Sequence, residues 1–373
     1  MTRSLIVIPL SAAVLAAGAA AAQLPRISNA KLTPQNASPS FTQSVRALIA
    51  AQSEPAWIGY TVPVVGGERT MCCFSAGDTY ISGNLVVKDG SNITALGCRL
   101  EPGQEGRPAG SRATASAAPI KLEGSDRMIV LLRVAERRLD RIRTFSEDCE
   151  LDAGGREVHW IENVPPAESV ALLESFVAGQ DQDGERRTSE GAIAAIAMHG
   201  TPAADAALER LLAPAQPVSI RKKVTFWLGN ARGRRGLDLL KRVLRDDPSV
   251  EVRKAAVFGV SQSHEPDAVE TLIGTARAHS EHEVRGEAIF WLGQKAGAKA
   301  AAAITERIEQ DPDTEVKKRA VFALSQLPKD EGVPLLIKVA RTNPNPVVKK
   351  QAMFWLGQSK DPRAIDFFAE VLK

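Results

Sequence analysis

Aromatic side chains are scarce, at 5% of 373 residues, while alanine is abundant. That balance favours close-packed helices over an all-β chain. A strong charge of one sign is missing too: 47 basic and 44 acidic side chains leave a net charge of +3. So even a balance argues against nucleic acid or an anionic membrane as the main partner. No internal run is long and apolar enough to span a bilayer, which excludes a multi-pass membrane protein. Histidine is limited to His159, His199, His264, His279 and His282, and none stands in H-x-x-x-H or H-E-x-x-H spacing. A G-x-S-x-G elbow, a P-loop and a dinucleotide fingerprint are also absent. Asp148 and Glu150 flank Cys149, and acids in such a turn cap strands more often than they work as an acid/base pair. Neither a catalytic residue nor a metal or cofactor is expected, and the length suits two or three domains.

The first 22 residues read as an export signal. Arg3 supplies a positive charge, Leu5 to Ala22 are mostly apolar, and Ala20-Ala21-Ala22 form an A-x-A site before Gln23. No stop-transfer cluster follows, so the mature chain is expected in a bacterial periplasm or outside the cell, with no stable membrane insertion after cleavage. In that setting the four cysteines, Cys72, Cys73, Cys98 and Cys149, are disulfide candidates. Neighbours in a strand point to opposite faces, so Cys72 and Cys73 do not both enter one core from a regular strand. Either Cys98 pairs with Cys149 beside a vicinal Cys72–Cys73 ring, or each adjacent cysteine takes a distant partner. A vicinal ring would be a redox site.

The C-terminal half repeats with a period of 32. Ile220, Val252, Val284, Val316 and Val348 are each followed by a basic residue: Arg221, Arg253, Arg285, Lys317 and Lys349. Four positions after each Ile or Val stand Val224, Ala256, Ala288, Ala320 and Ala352. At +6 the residue is always Phe (Phe226, Phe258, Phe290, Phe322, Phe354), and at +8 come Leu228, Val260, Leu292, Leu324 and Leu356. An amide column follows at +10: Asn230, Gln262, Gln294, Gln326 and Gln358. A weaker copy near Thr188 makes six repeats over 187–373, each reading as two helices. A 64-residue superperiod is laid over this, with Trp227, Gly259, Trp291, Ala323 and Trp355 at +7, and Gly and Ser alternating at +9. Packing of large beside small residues accounts for the Trp column, and the +9 glycines suit helix ends.

These x-V-[RK]-x-x-A-x-x-x-L-[GS] blocks, with turn signals such as Asp361-Pro362-Arg363-Ala364, resemble the HEAT family, in particular the short bacterial phycobilisome-lyase-like form. The resemblance implies a right-handed α-solenoid and an Asp–Arg ladder along the stack. Glu251, Glu283 and Glu315, two positions before Arg253, Arg285 and Lys317, are the acids expected to pair with that basic column.

Two features suggest a partner surface, and the partner they imply is another protein. At 100° per residue, the Phe column lies about 140° from the centre of the apolar arc and beside a +2 column of Lys222, Lys254, Gly286, Lys318 and Lys350. Phe rings beside lysines off the core arc are candidate anchors. The second is a basic cluster in the second repeat, including Arg232, Arg234 and Arg235, with nine bases against three acids.

The N-terminal half is expected to hold a linker (23–40) and a small mainly β domain (41–163). A capping helix with its own linker (164–186) then leads into the solenoid. Its candidate elements are a helix at Ser44–Ala51 and strands at Trp57–Val65, Thr79–Val87, Met128–Val134, Arg138–Phe145 and Val158–Ile161, with a hairpin at Glu136-Arg137. Gly103–Ala118 reads as a loop. The functional expectation is an exported scaffold that binds a protein through the solenoid. The alternative is an enzyme that uses Cys72/Cys73, with the solenoid as a substrate clamp.

Overall fold

A computed structural model describes residues 25–66, 71–76, 79–82, 93–96, 98–101, 124–177, 183–295 and 297–372. The export signal (1–22), the loop 103–118 and most of the strand expected at 79–87 lie outside those residues.

The N-terminal half is built on a five-stranded sheet of order β2-β11-β3-β8-β9. Its strands are β2 (Lys31–Asn36), β3 (Ala56–Pro63), β8 (Arg127–Ala135), β9 (Arg138–Ser146) and β11 (Glu157–Glu162). β11 runs parallel to both β2 and β3, while β3–β8 and β8–β9 are antiparallel. The β8–β9 hairpin turns at Glu136 and Arg137, whose φ values of 53° and 60° are those of a type I′ turn. β1 (Ile27–Ser28), β10 (Leu151–Asp152) and β7 (Cys98–Arg99) make a short parallel sheet. β4 (Cys73–Ala76), β5 (Thr79–Ser82) and β6 (Ile93–Leu96) make an antiparallel one. The stretch expected as a linker thus carries β1 and the edge strand β2, because β11 offers its backbone to Lys31–Asn36 residue by residue.

Alternation along these strands sorts side chains to two faces. Trp57, Ile129, Leu131, Phe145, Val158 and Trp160 face a core that includes Cys73, Cys98 and Cys149. Ile58, Tyr60, Val62, Val130, Leu132 and Ile161 face the other way, onto α1 (Phe41–Ala51), α2 (Pro166–Glu174) and the first solenoid helix. Residues Trp57 to Tyr60 of β3 tie both faces to their neighbours. The Trp57 indole donates to Glu101, Trp160 crosses over Gly59 where a Cβ would clash, and Tyr60 packs edge-on against Phe41 while its hydroxyl accepts from Ser169.

Six helix pairs follow: α3 (Asp183–Met198) with α4 (Pro202–Leu211), α5 (Val218–Ala231) with α6 (Gly233–Asp246), and α7 (Val250–Gln262) with α8 (Ala268–Ala278). Then come α9 (His282–Lys295) with α10 (Ala298–Gln310), α11 (Thr314–Gln326) with α12 (Lys329–Thr342), and α13 (Pro346–Ser359) with α14 (Pro362–Val371). Pro begins α4, α13 and α14, where the missing N–H costs nothing, and Asp313, Asn345 and Asp361 cap their helices with side-chain oxygens.

The sheet does not stand apart from this array. Strand β9 lies against α3, where a Cβ on Gly191 would strike the backbone of Ile142. Val65 donates to the Met198 carbonyl and Gly200 to that of Pro63, each at 2.9 Å. One apolar core therefore runs from Phe41 and Tyr60 through to Phe367 in α14. At the start of the array α2 packs on both α3 and α4.

Candidate partner-binding surface

Apolar residues at the Val, +4 and +8 positions turn each first helix towards its second helix, and all are buried. First helices also pack tightly on the first helices of adjoining repeats, whereas successive second helices touch much less. The first-helix layer is therefore the shorter, inner side of the array. The +9 glycines make this approach possible: a methyl at Gly229 would overlap the carbonyl of Gly259, and one at Gly293 would press on Ala323 at 3.0 Å. Their expected role as helix ends is corrected, since α5 and α9 continue two residues beyond them. In the alternate repeats Ser261 and Ser325 bond back to the carbonyls of Phe258 and Phe322.

Across this inner side the +6 and +7 columns fuse into one aromatic ladder. Phe226 stacks on Phe258 with centroids 5.8 Å apart, and Phe258 meets Trp291 at 4.7 Å. Phe290 stacks on Phe322 at 6.2 Å, and Phe322 meets Trp355 at 5.0 Å. Edge contacts Phe226–Trp227, Phe290–Trp291 and Phe354–Trp355 complete an unbroken run of eight rings. All are half-buried except Phe354, which is exposed. The rings thus hold repeats together and still show a surface. The tryptophans, expected to pack, are partly buried against the solenoid core and also line this ladder.

Of the flanking lysines, Lys254 and Lys318 pair with Glu251 (3.1 Å) and Glu315 (3.0 Å) one helical turn away. Lys222 and Lys350 are exposed and form no ion pair among the described residues. The Glu column accordingly does not pair with the +1 basic column as expected. Its acids come from the ends of second helices: Arg221 binds Asp247 at 2.6 Å and Arg285 binds Asp311 at 2.8 Å, both buried.

The basic cluster is not an open electropositive surface. Asp205 takes Arg232, whose guanidinium is nearly buried and also donates to the carbonyls of Ala197 and His199. Asp267 binds Arg234 at 2.6 Å, and Glu209 binds both Arg235 (2.8 Å) and Arg242 (3.2 Å). Those acids belong to the preceding and following repeats, so a charge count confined to one repeat left them out.

The cysteines resolve into Cys72–Cys149 and Cys73–Cys98. Adjacent thiols therefore go to different partners: Cys72 precedes β4, both bonds lie at one core, and the vicinal redox pair is overturned. A further polar centre of the β domain is Glu101, which accepts from Trp57 and from Arg133 and Arg156. Burial pushes its carboxyl up, but the Arg133 and Trp57 hydrogen bonds and the two guanidinium charges outweigh that and hold it below its ordinary value. A site that sequence reasoning missed is His199, fully buried where the sheet meets the solenoid. Burial, with the Arg232 charge second, depresses its pKa to about 4, so the ring is neutral.

The family model of HEAT repeats matches residues 237–325 and 301–373. The C-terminal half is built of HEAT repeats. Among solved structures, human deoxyhypusine hydroxylase is similar to this chain at 17% identity, covering 55% of this chain and 90% of that one, with a TM-score of 0.25. The CpcE–CpcF complex of phycocyanin lyase from Nostoc sp. PCC7120 matches at 20% identity over 42% and 97% of the two chains, TM-score 0.33. YibA of Escherichia coli matches at 18% over 56% and 78%, TM-score 0.36. No curated protein matches the chain.

Proposed function

We propose that this chain is an exported scaffold that holds a protein partner across the inner face of its HEAT array. The observation that carries this is the ladder itself, eight touching rings that remain open to solvent along one side. Aromatic rings that are already fixed by packing lose little entropy on binding, which suits them as anchors. Export is supported by the signal-like residues 1–22 and by two disulfides, which persist in oxidising compartments. No helix among the described residues is long and apolar enough to cross a membrane.

The test is photo-crosslinking in the exported fraction from exposed Gln294 or Gln326 beside the ladder, with exposed Lys338 on the opposite layer as control. The expected result is a discrete adduct from the glutamine positions alone. Adducts of equal yield from Lys338, or none from any position, overturn the reading. Amino-terminal sequencing of the same fraction checks for a start at Gln23.

A further inference from the structure

We propose that this chain forms a closed, two-fold symmetric dimer through α13 and α14, by the side on which each earlier repeat binds the next. The occupant of that forward face is a second copy. This goes beyond the scaffold reading and does not depend on it.

Six large apolar side chains are exposed among the described residues. Five of them, Val347, Phe354, Ile365, Val371 and Leu372, lie in α13, in α14 or at its C-cap. The repeat shows what these positions are for. Val333 and Ala340 of α12 stand 32 residues before Ile365 and Leu372 and are only 3% exposed, against 66% and 85%. Met353 is half-buried where Thr225, Val257, Ile289 and Val321 are fully buried. A repeat whose forward face meets water carries polar residues there. In α13 and α14 that face stays apolar, and no described element covers it.

Phe354 and Gly357 give the face its shape. At the equivalent positions Gly229 receives the backbone of α7 and Gly293 that of α11, while Phe226 and Phe290 each stack on the next phenylalanine. Nothing lies within 4 Å of the methyl site of Gly357, and Phe354 meets only Trp355 of its own helix among the described rings. Ring and bare glycine stand three residues apart, on one side of α13. A two-fold axis passing between them lays Phe354 of each copy over Gly357 of the other, with the two α13 helices antiparallel. The face is therefore complementary to itself, as an isologous interface requires.

At the opposite side of the array no matching face is open: β9 packs on α3, and α2 on both α3 and α4. Copies accordingly cannot add head to tail, and association closes at two. Charge agrees. Lys350 stands at the repeat position of Gly286, whose methyl site abuts Arg319 of the next repeat, and Asp366 at that of Glu270, which reaches forward to Lys299. Both are exposed, so the face carries a charge of each sign and does not repel its own copy. At 14 and 10 residues the helices are about 21 and 15 Å long, a footprint on the order of 400 Å² per copy. That is the low end of specific interfaces and predicts a reversible dimer in the micromolar range.

The experiment is analytical ultracentrifugation of the full, disulfide-bonded chain, from well below to well above micromolar concentration. A monomer–dimer equilibrium with nothing larger is expected. Ile365→Glu with Leu372→Glu should weaken the dimer by about a hundredfold or more, while Val218→Glu, at an exposed valine of α5, should leave it unchanged. All three residues are exposed, so the urea midpoints of the dilute monomers should not move. Gly357→Ala supplies a second signature: the added methyl should weaken the dimer severalfold, yet make the dilute monomer slightly more stable through helix propensity. A chain that is monomeric throughout, a dimer indifferent to the paired glutamates, or species that grow beyond two copies would each overturn the proposal. Crosslinking from Gln294 and Gln326 decides the scaffold reading separately.

Discussion

Arg285 grips Asp311 through two hydrogen bonds, Nε to Oδ2 at 2.8 Å and Nη2 to Oδ1 at 3.0 Å, although 26 residues separate them. Arg221 and Asp247, each 64 residues earlier, form the same pair, and in the intervening positions His279 and Asn343 stand where the aspartates do. The superperiod seen in the Trp column is therefore also a period of buried charge, and both describe how one repeat seats on the next.

Removing one partner of such a pair strands the other. Asp311→Ala should cost about 3 kcal/mol or more, because the Arg285 guanidinium stays buried without its carboxylate. Pairing Arg285→Met with Asp311→Leu should recover most of that loss. Asn343→Ala, which removes a neutral group, should cost only about 1 kcal/mol. Urea midpoints of the four proteins check this, and equal losses for Asp311→Ala and Asn343→Ala would refute it.

Two glycines at the same repeat position should respond in opposite directions. A methyl at Gly229 overlaps the Gly259 backbone, while nothing lies within 4 Å of the methyl site at Gly357 in α13. Gly357→Ala is expected to stabilise by up to about 1 kcal/mol through helix propensity. Gly229→Ala should destabilise by about 2 kcal/mol or more as the helices are pushed apart. Thermal melts of the two single variants decide it.

His199 makes the junction between sheet and solenoid acid-sensitive. Its folded pKa of about 4 lies below the ordinary 6.5, so as pH falls the unfolded chain takes up the proton first. Its contribution is full above pH 6.5, is lost as pH falls from 6.5 towards 4, and amounts to about 3 kcal/mol at most. His199→Leu should flatten that part of the stability–pH curve. The difference between the two proteins isolates it from carboxylates common to both, and parallel curves would exclude the effect.

The disulfides close loops of unequal length, 25 residues for Cys73–Cys98 and 77 for Cys72–Cys149. Replacing either pair by serine should cost about 3–5 kcal/mol, with the longer loop the costlier. In a stacked array each repeat depends mainly on its neighbours. Hydrogen exchange should thus rise throughout the β domain and α3 in the serine variants while α9 to α14 stay protected. Uniform loss of protection along the chain would show instead that the array folds as one unit with the sheet.

The sequence alone determined the array, its six repeats and its phase, because apolar residues at fixed positions every 32 residues mark a helix pair that must bury its face on its neighbours. It also determined the β8–β9 hairpin, where two alternating runs meet at Glu136-Arg137. Contacts between residues far apart in the chain were left to tertiary structure. Columns at +6 and +7 lie 100° apart on a helix, and only the close seating of neighbouring helices joins Phe258 to Trp291. The acids that neutralise Arg234 and Arg235 sit in other repeats, so no local count reveals them. Cysteine connectivity, the sharing of one core between sheet and solenoid, and the burial of His199 belong to the same class. Periodicity records what each helix buries, and three-dimensional packing decides which neighbour buries it.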